Sequence, residues 1–252
     1  MIVAILATLA VLSTPASGRI WAPAPHTTWQ WQLTTPVRQS VPAQMFDIDL
    51  FENPASVVAA LHHRGRHVIC YLDLDAGTYE NYRPDASRFP QSVLGKPNGW
   101  PGERWLDIRR LSVLEPIMRA RLSLCRHKGF DGVEADNVDG YANDTGFPLT
   151  AADQLTYRWL ARTAHSLGLS IALKNDLDQV PALVRYFDYA LDEQCFEYSE
   201  CAKLLPFVRA HKAVFEVEYN LSPASFCDQA NALGFMSMRK TLDLDASRQV
   251  CW

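Results

Sequence analysis

The sequence holds no G-x-G-x-x-G run, no P-loop and no G-x-S-x-G elbow. Cradling of a nucleotide phosphate by a glycine-rich loop and serine-nucleophile chemistry are therefore set aside. Cys-x-x-Cys and mixed Cys/His spacings are also missing, which removes a structural zinc site. Histidines number seven, and only His67 falls within an expected strand, near its start. A transition-metal centre is not expected, while a calcium or magnesium ion stays open. Lys and Arg total 24 against 28 Asp and Glu, a formal charge of −4, so no basic stripe offers itself to nucleic acid. After residue 18 no long uninterrupted apolar run follows, and stable membrane insertion is not expected. Neither an internal repeat nor a low-complexity linker divides the chain.

What is present begins with a leader. Residues 1–18 read as a secretory signal peptide: Ile2 to Leu12 is apolar, and Thr14 to Gly18 supplies small residues for cleavage. Its first residues carry no Lys or Arg. The mature domain is then 19–252, large enough for one core. Six cysteines agree with export to an oxidising compartment, and a secreted or extracytoplasmic location is expected. Cys195 and Cys201 are close enough in sequence to bridge a loop, and Cys227 with Cys251 could tie down the C-terminal tail. Cys70 and Cys125 remain as a feasible pair, with buried free thiols as the alternative. Asn143-Asp-Thr and Asn220-Leu-Ser match the glycosylation sequon.

Eight short segments rich in β-branched and aromatic residues read as strands. They are Thr28–Leu33, Ala43–Ile48, His67–Leu72, Gly132–Ala135, Ser170–Leu173, Tyr186–Leu191, Ala213–Val217 and Gly234–Met238. Helical spacing fills the intervals over Pro54–His63, Ile108–His127, Thr150–Leu167, Asp178–Tyr186, Ser199–His211 and Ser222–Leu233. Thr150-Ala-Ala-Asp resembles a capping box. Parallel neighbours need crossover connections, so the alternation predicts an α/β fold, a single-domain (β/α)8 TIM barrel. A doubly wound open sheet is the runner-up. The proline-rich stretch from Asp73 to Trp105 is expected to be a long loop after the third strand, and loops of that length carry function.

In such barrels the reactive face is built from the C-terminal strand ends. Those ends are acidic here: Asp47 and Asp49, Asp73, Glu134 and Asp136 with Asn137, Asn175 beside Lys174, Asp192 and Glu193, Glu216 and Glu218. Residues 129–141 are the densest part, and Asp139 within them is expected to cap the following turn. Convergence of carboxylates from separate strands suits glycoside hydrolysis, which needs one acid as proton donor and another as nucleophile or base. Divalent-ion chemistry is the other class. Aromatic rings near the strand ends could stack on sugar faces, and Tyr71, Tyr141 and Tyr219 are the expected substrate contacts. Trp29 and Trp31 are expected to fill the barrel.

The segments Gly129-Phe-Asp-Gly-Val-Glu-Ala-Asp-Asn-Val-Asp-Gly-Tyr141, Cys70-Tyr-Leu-Asp73, Leu173-Lys-Asn175, Asp192-Glu-Gln-Cys195 and Phe215-Glu-Val-Glu-Tyr219 resemble glycoside hydrolase family 114. These are the endo-α-1,4-polygalactosaminidases and their barrel relatives, and the resemblance spans roughly residues 28–240. It implies that Asp136 is the nucleophile and Glu193 the general acid/base. It further implies a galactosamine-containing polysaccharide as substrate, cationic where unacetylated. Asp47, Asp49, Tyr71, Asp73, Glu134, Asn137, Tyr141, Lys174, Asn175, Glu218 and Tyr219 are the expected substrate-binding set. No cofactor is expected, and a monomer is the default. A hydrolase of the same barrel type on another polysaccharide, or a non-catalytic carbohydrate-binding barrel, are the alternatives.

Overall fold

A computed structural model describes residues 20–72, 77–155 and 158–252. The expected leader and Asp73 lie outside them. Eight parallel strands form in order along the chain: β1 Trp29–Gln32, β2 Met45–Asp49, β3 His67–Leu72, β4 Gly132–Ala135, β5 Ser170–Lys174, β6 Tyr189–Glu193, β7 Val214–Glu218 and β8 Met236–Arg239. Each pairs with its neighbours in sequence, which gives the curled sheet of a TIM barrel. Both faces of most strands are buried, as helix-covered parallel strands require. Trp29, Trp31, Met45, Ile69, Tyr189, Phe215 and Met238 fill the interior, while the alternate residues meet the helices outside.

The seam between β1 and β8 shares no ladder among the described residues. The C-terminal segment closes it instead. A ninth strand, β9 (Gln249–Val250), returns antiparallel to β8. The Leu33 N–H donates to Leu244 O at 2.9 Å, and Arg248 donates to the Trp29 carbonyl. Trp29 Nε1 spans the gap directly to Met236 O at 2.8 Å.

Helices follow the strands where the spacing places them. They are α1 Ala55–His63, α2 Leu111–Lys128, α3 Ala151–Leu155, α4 Arg158–Ser166, α5 Val180–Leu183, α6 Leu205–Arg209 and α7 Pro223–Leu233. The buried face of α2 holds Leu114, Ile117, Met118, Arg121, Leu122 and Cys125, one stripe of a 3.6-residue period. Gly129, at φ 92°, ends that helix in the left-handed conformation a side chain would resist. Thr150 and Asp153 exchange side-chain bonds at the start of α3, as the capping box predicts. The expected helices over 178–186 and 199–211 form as 3-10 turns, Leu177–Gln179 and Cys201–Leu204, that run into short α5 and α6, where Pro181 and Pro206 sit in the first α-helical turn. Disulfides join Cys70 to Cys125, Cys195 to Cys201 and Cys227 to Cys251.

The stretch expected to be an irregular loop is largely ordered. Thr78–Glu80, Glu103–Leu106 and Leu94–Pro97 form a three-stranded antiparallel sheet above β3 and β4. Two arginines fasten this insertion to the barrel. Arg83 pairs with Asp49 at 2.6 Å and Glu80 at 2.7 Å, and buried Arg121 of α2 pairs with Asp85 at 2.7 Å. The phenyl ring of Phe51 lies under both guanidinium groups.

Candidate active site

The C-terminal strand ends and the inserted sheet enclose a cleft of about 510 Å³. Alternation along the strands decides what reaches it. On β4 the inward positions are Gly132 and Glu134, so the next inward residue is Asp136, just past the strand end. On β5 the inward residue at the end is Lys174, and on β6 it is Glu193. Three neighbouring strands thus aim an acid, a base and an acid at one point.

Lys174 Nζ lies 2.8 Å from Asp136 Oδ1, 2.9 Å from Glu193 Oε2 and 3.6 Å from Glu134 Oε1. Its side chain is 1% exposed, against 18% for Asp136 and 23% for Glu193. The ammonium therefore forms the closed floor of the site, and the two carboxylates face the cleft. The Trp31 ring packs 5.0 Å from Nζ and shields it from below. Burial opposes the charge on Lys174, but Asp136, Glu193 and Glu134 outweigh it and hold its pKa well above the usual value. Burial likewise pushes the Asp136 carboxyl up. The Lys174 ammonium, the Asn137 N–H and the Tyr71 hydroxyl more than reverse that and keep it below the ordinary range.

Each carboxylate has its own set of donors. Asp136 Oδ1 accepts the Asn137 N–H at 2.8 Å, and Oδ2 accepts the Tyr71 hydroxyl at 3.0 Å. Glu193 Oε1 accepts the Tyr219 hydroxyl, and Oε2 takes Asn175 Nδ2 at 3.3 Å. Asn175 Oδ1 in turn receives the Glu193 N–H at 3.0 Å, which fixes the end of β6. Asn137 and Asn175 both sit at positive φ, 58° and 50°, a conformation asparagine tolerates well. A Cβ on Gly77 would stand 2.0 Å from the Asn137 carbonyl, so only glycine lets the inserted sheet press this close to the residue after Asp136.

Of the expected site residues, Asp136, Glu193, Tyr71, Asn137, Asn175, Tyr219 and Asp49 line the cleft, and Lys174 closes it. Others depart from the substrate-contact reading. Asp49 is occupied: it accepts Arg83 and the N–H groups of Phe51 and Glu52, so it anchors the insertion. Asp47 and Glu134 are fully buried beneath Lys174. Tyr141 turns to Asp176, donating at 3.0 Å. Glu218 points to the outer face of the sheet, where Oε1 accepts the Phe196 and Glu197 N–H groups at 2.8 and 3.2 Å. Asp139 precedes the turn Gly140–Ala142 but makes no side-chain cap bond there, and lines the cleft instead.

The inserted sheet brings residues that strand-end reasoning passed over. Glu80, Tyr82, Trp100 and Glu103 form one wall, and Leu242 to Leu244 form the opposite rim. Eight carboxylates line the cleft, and besides the Lys174 ammonium at its floor the one cation among the described lining residues, Arg83, is paired with Asp49 and Glu80. No group of three or more His, Cys, Asp or Glu among the described residues is placed to hold a metal ion. The arrangement offers two neighbouring carboxylates at the floor of an open acidic groove with aromatic walls, the kind of pair that glycoside hydrolysis requires.

Comparisons with known proteins bear on that chemistry. A family model described as glycoside-hydrolase family GH114 matches residues 11–252. Among solved structures, the chain is similar to Aspergillus fumigatus Ega3 in complex with galactosamine, with 40% identity and a TM-score of 0.86 over 92% of this chain and 97% of that one. The glycoside hydrolase domain of PelA from Pseudomonas aeruginosa is 13% identical, with a TM-score of 0.66 over 88% of this chain and 96% of that domain, and supports the fold alone. No curated protein sequence matches.

Proposed function

The chain belongs to glycoside hydrolase family GH114, and from that premise we propose that it is a secreted enzyme cleaving α-1,4-galactosaminidic bonds, with Asp136 as nucleophile and Glu193 as general acid/base. The observation that carries this reading is the Asp136–Lys174–Glu193 bridge at the floor of the acidic cleft. Lys174 and the Asn137 N–H hold Oδ1 of Asp136, which leaves Oδ2 beside Tyr71 as the attacking atom. Protonated Glu193 delivers its proton to the glycosidic oxygen as the bond to C1 breaks. The same residue, now a carboxylate, removes a proton from the water that releases the glycosyl–Asp136 ester.

Contacts of 2.8 and 2.9 Å to one nitrogen cap the separation of the two carboxyl oxygens at about 5.7 Å. These are the oxygens on Lys174 rather than the attacking Oδ2, so the close approach supports a retaining enzyme, whose carboxyl groups stand roughly 5–5.5 Å apart, over an inverting one at about 6.5–9.5 Å. The surplus of carboxylates supports a cationic substrate, because field focused in a cleft concentrates the opposite charge. Galactosamine is the ligand of the 40% identical relative, and it carries an ammonium when unacetylated. Three disulfides, and the absence of any helix among the described residues long and apolar enough to cross a membrane, accord with export.

The test is incubation with partly deacetylated galactosaminogalactan, alongside N-acetylgalactosamine and galactose polymers, with mass spectrometry of the products. Release of galactosamine oligomers by the wild type, and their loss in Asp136→Asn and Glu193→Gln, is the expected result. Cleavage confined to another polymer would reassign the substrate. NMR of the first-formed anomer reads retention.

A further inference from the structure

Directly beneath Lys174 lies a second pair of acids that the reaction does not use. Asp47 on β2 and Glu134 on β4 are both fully buried, pointing into the barrel on either side of β3. Their surroundings are apolar or singly polar. Trp31 and Ile69 flank Asp47 in register, and Tyr71 and Ala172 flank Glu134. The charged or titratable groups that act on the pair are Lys174 from β5, Asp136 at the end of β4 and, from β6, the Tyr189 hydroxyl, which is itself given to the Val133 carbonyl at 3.2 Å. None of the four carboxyl oxygens accepts a hydrogen bond from any other described group. The nearest cation to the pair is the Lys174 ammonium, 3.6 Å from Glu134 Oε1, and two buried carboxyl groups that act on each other repel unless one is protonated. One proton at least must stay between them.

We propose that Asp47 and Glu134 are positioning residues, a proton-sharing pair whose charge sets where the Lys174 ammonium rests between Asp136 and Glu193. This rests on the reading of Asp136 and Glu193 as the reacting pair. With both acids protonated the pair is neutral, and Lys174 answers only to the two carboxylates above it. When Asp47 releases its proton to solvent, one negative charge appears below Nζ, whose nearest point on the pair is Glu134 Oε1 at 3.6 Å. The ammonium is then drawn down and its hold on Asp136 and Glu193 weakens. Burial first, offset in part by the bond from Glu134 and the charge on Lys174, pushes the Asp47 carboxyl up to about 7. The same burial, with the Asp47 charge added, drives Glu134 well above the carboxylate range. Loss of the Asp47 proton therefore falls inside the working pH of an enzyme rather than far below it.

Lysine-selective 15N NMR of the full chain follows Lys174 Nζ through a pH titration, in parallel with pH profiles of kcat and KM on the galactosamine polymer. In the wild type the Nζ resonance is expected to move with a midpoint near 7, matching the alkaline limb of kcat. Asp47→Asn cannot ionise, so the step in Nζ should vanish and the alkaline limb should move up by about one pH unit, with KM within about twofold. Glu134→Gln leaves Asp47 a permanent donor and should lower the same midpoint, which serves as the second variant if Asp47→Asn does not fold. A wild-type Nζ that does not titrate near neutrality, or one that titrates identically in the variants, overturns the proposal. The NMR arm needs no substrate, so a wild type inactive on the polymer would instead count against the galactosaminidase reading.

Discussion

One buried ammonium, Lys174 Nζ, touches Asp136 Oδ1 at 2.8 Å and Glu193 Oε2 at 2.9 Å, so a single cation sets the spacing of the two carboxylates proposed to react. Replacing it with methionine keeps the volume and removes the charge. Misplacement of reacting groups by about 1 Å can cost 10²-fold, and a fall in kcat/KM of at least about that size is expected for Lys174→Met. Asp136 would lose the main influence holding its pKa down, so the acid limb of the pH profile should move to higher pH. Stability should follow the same sign. A depressed carboxylate stabilises the fold above its unfolded pKa of about 3.9 and loses that contribution as pH falls through the folded value. The variant should therefore lose ~3–5 kcal/mol at pH 7. Because the wild type gives up the Asp136 contribution only below about pH 4, thermal melts at pH 7 and about pH 3 should show the gap narrowing.

Acids inside and outside the cleft should separate cleanly. Glu103 lies in the groove, held by Tyr82 and by Asn98 Nδ2 at 2.7 Å. For Glu103→Gln, KM on a partly deacetylated polymer should rise about two- to fivefold at low salt and converge on the wild type at high salt, the range of an exposed ion pair. Glu218 accepts two backbone N–H groups on the far side of the sheet. Glu218→Gln should leave the salt dependence of KM alone and cost about 1–2 kcal/mol of stability instead.

The barrel was legible in the sequence because its strands are short apolar runs and its helices amphipathic, so period alone separates them. Asp136, Lys174 and Glu193 were legible as strand-end residues, with the roles of Asp136 and Glu193 implied by the family resemblance. Alternation along each strand explains why all three side chains meet at the cleft. Glu218 misled because it shares a strand end with Tyr219, and a shift of one residue exchanges the inside of the barrel for its outside. Glu80, Tyr82, Trp100 and Glu103 were hidden by prolines, which mask the short strands of the inserted sheet from any periodicity. Buried Asp49 shows the limit from the other direction. Its position at a strand end is right for substrate, but its partner Arg83 comes from a segment whose path the sequence does not reveal.

Asp176 carries a pH dependence of its own. It sits at φ 47°, 4% exposed, with Oδ1 accepting Tyr141 and Oδ2 buried without a partner. Burial, helped by Asp139 and Asp178, raises its carboxyl to about 8. A carboxyl raised on folding gives stability below its unfolded pKa of about 3.9 and loses it progressively up to the folded value. An asparagine at this position would be uncharged throughout and suits the left-handed conformation. Asp176→Asn is expected to stabilise the protein by about 1–3 kcal/mol at pH 8 and to change little at pH 4. Equal shifts at both pH values in urea unfolding would count against this account.

Trp100 is 57% exposed on the cleft wall, an indole held where water rather than core surrounds it. Tyr82, 55% exposed, stands on the same wall, and both are carried by the inserted sheet rather than by the barrel. A flat ring there can stack on a sugar unit away from the bond being broken, and Glu103 of the same wall can receive that unit's ammonium. Such a contact is made equally in the ground state and the transition state, so it should appear in KM and not in kcat. Aromatic stacking is worth about 0.5–1.5 kcal/mol beyond area burial, which sets the expected rise in KM for Trp100→Ala at roughly 2- to 13-fold. The rise should be confined to oligomers long enough to reach from Asp136 to Trp100, and Trp100→Phe should recover part of it. An equal effect on the shortest cleaved oligomer would place Trp100 beside the reacting sugar instead and move the wall's role from binding to catalysis.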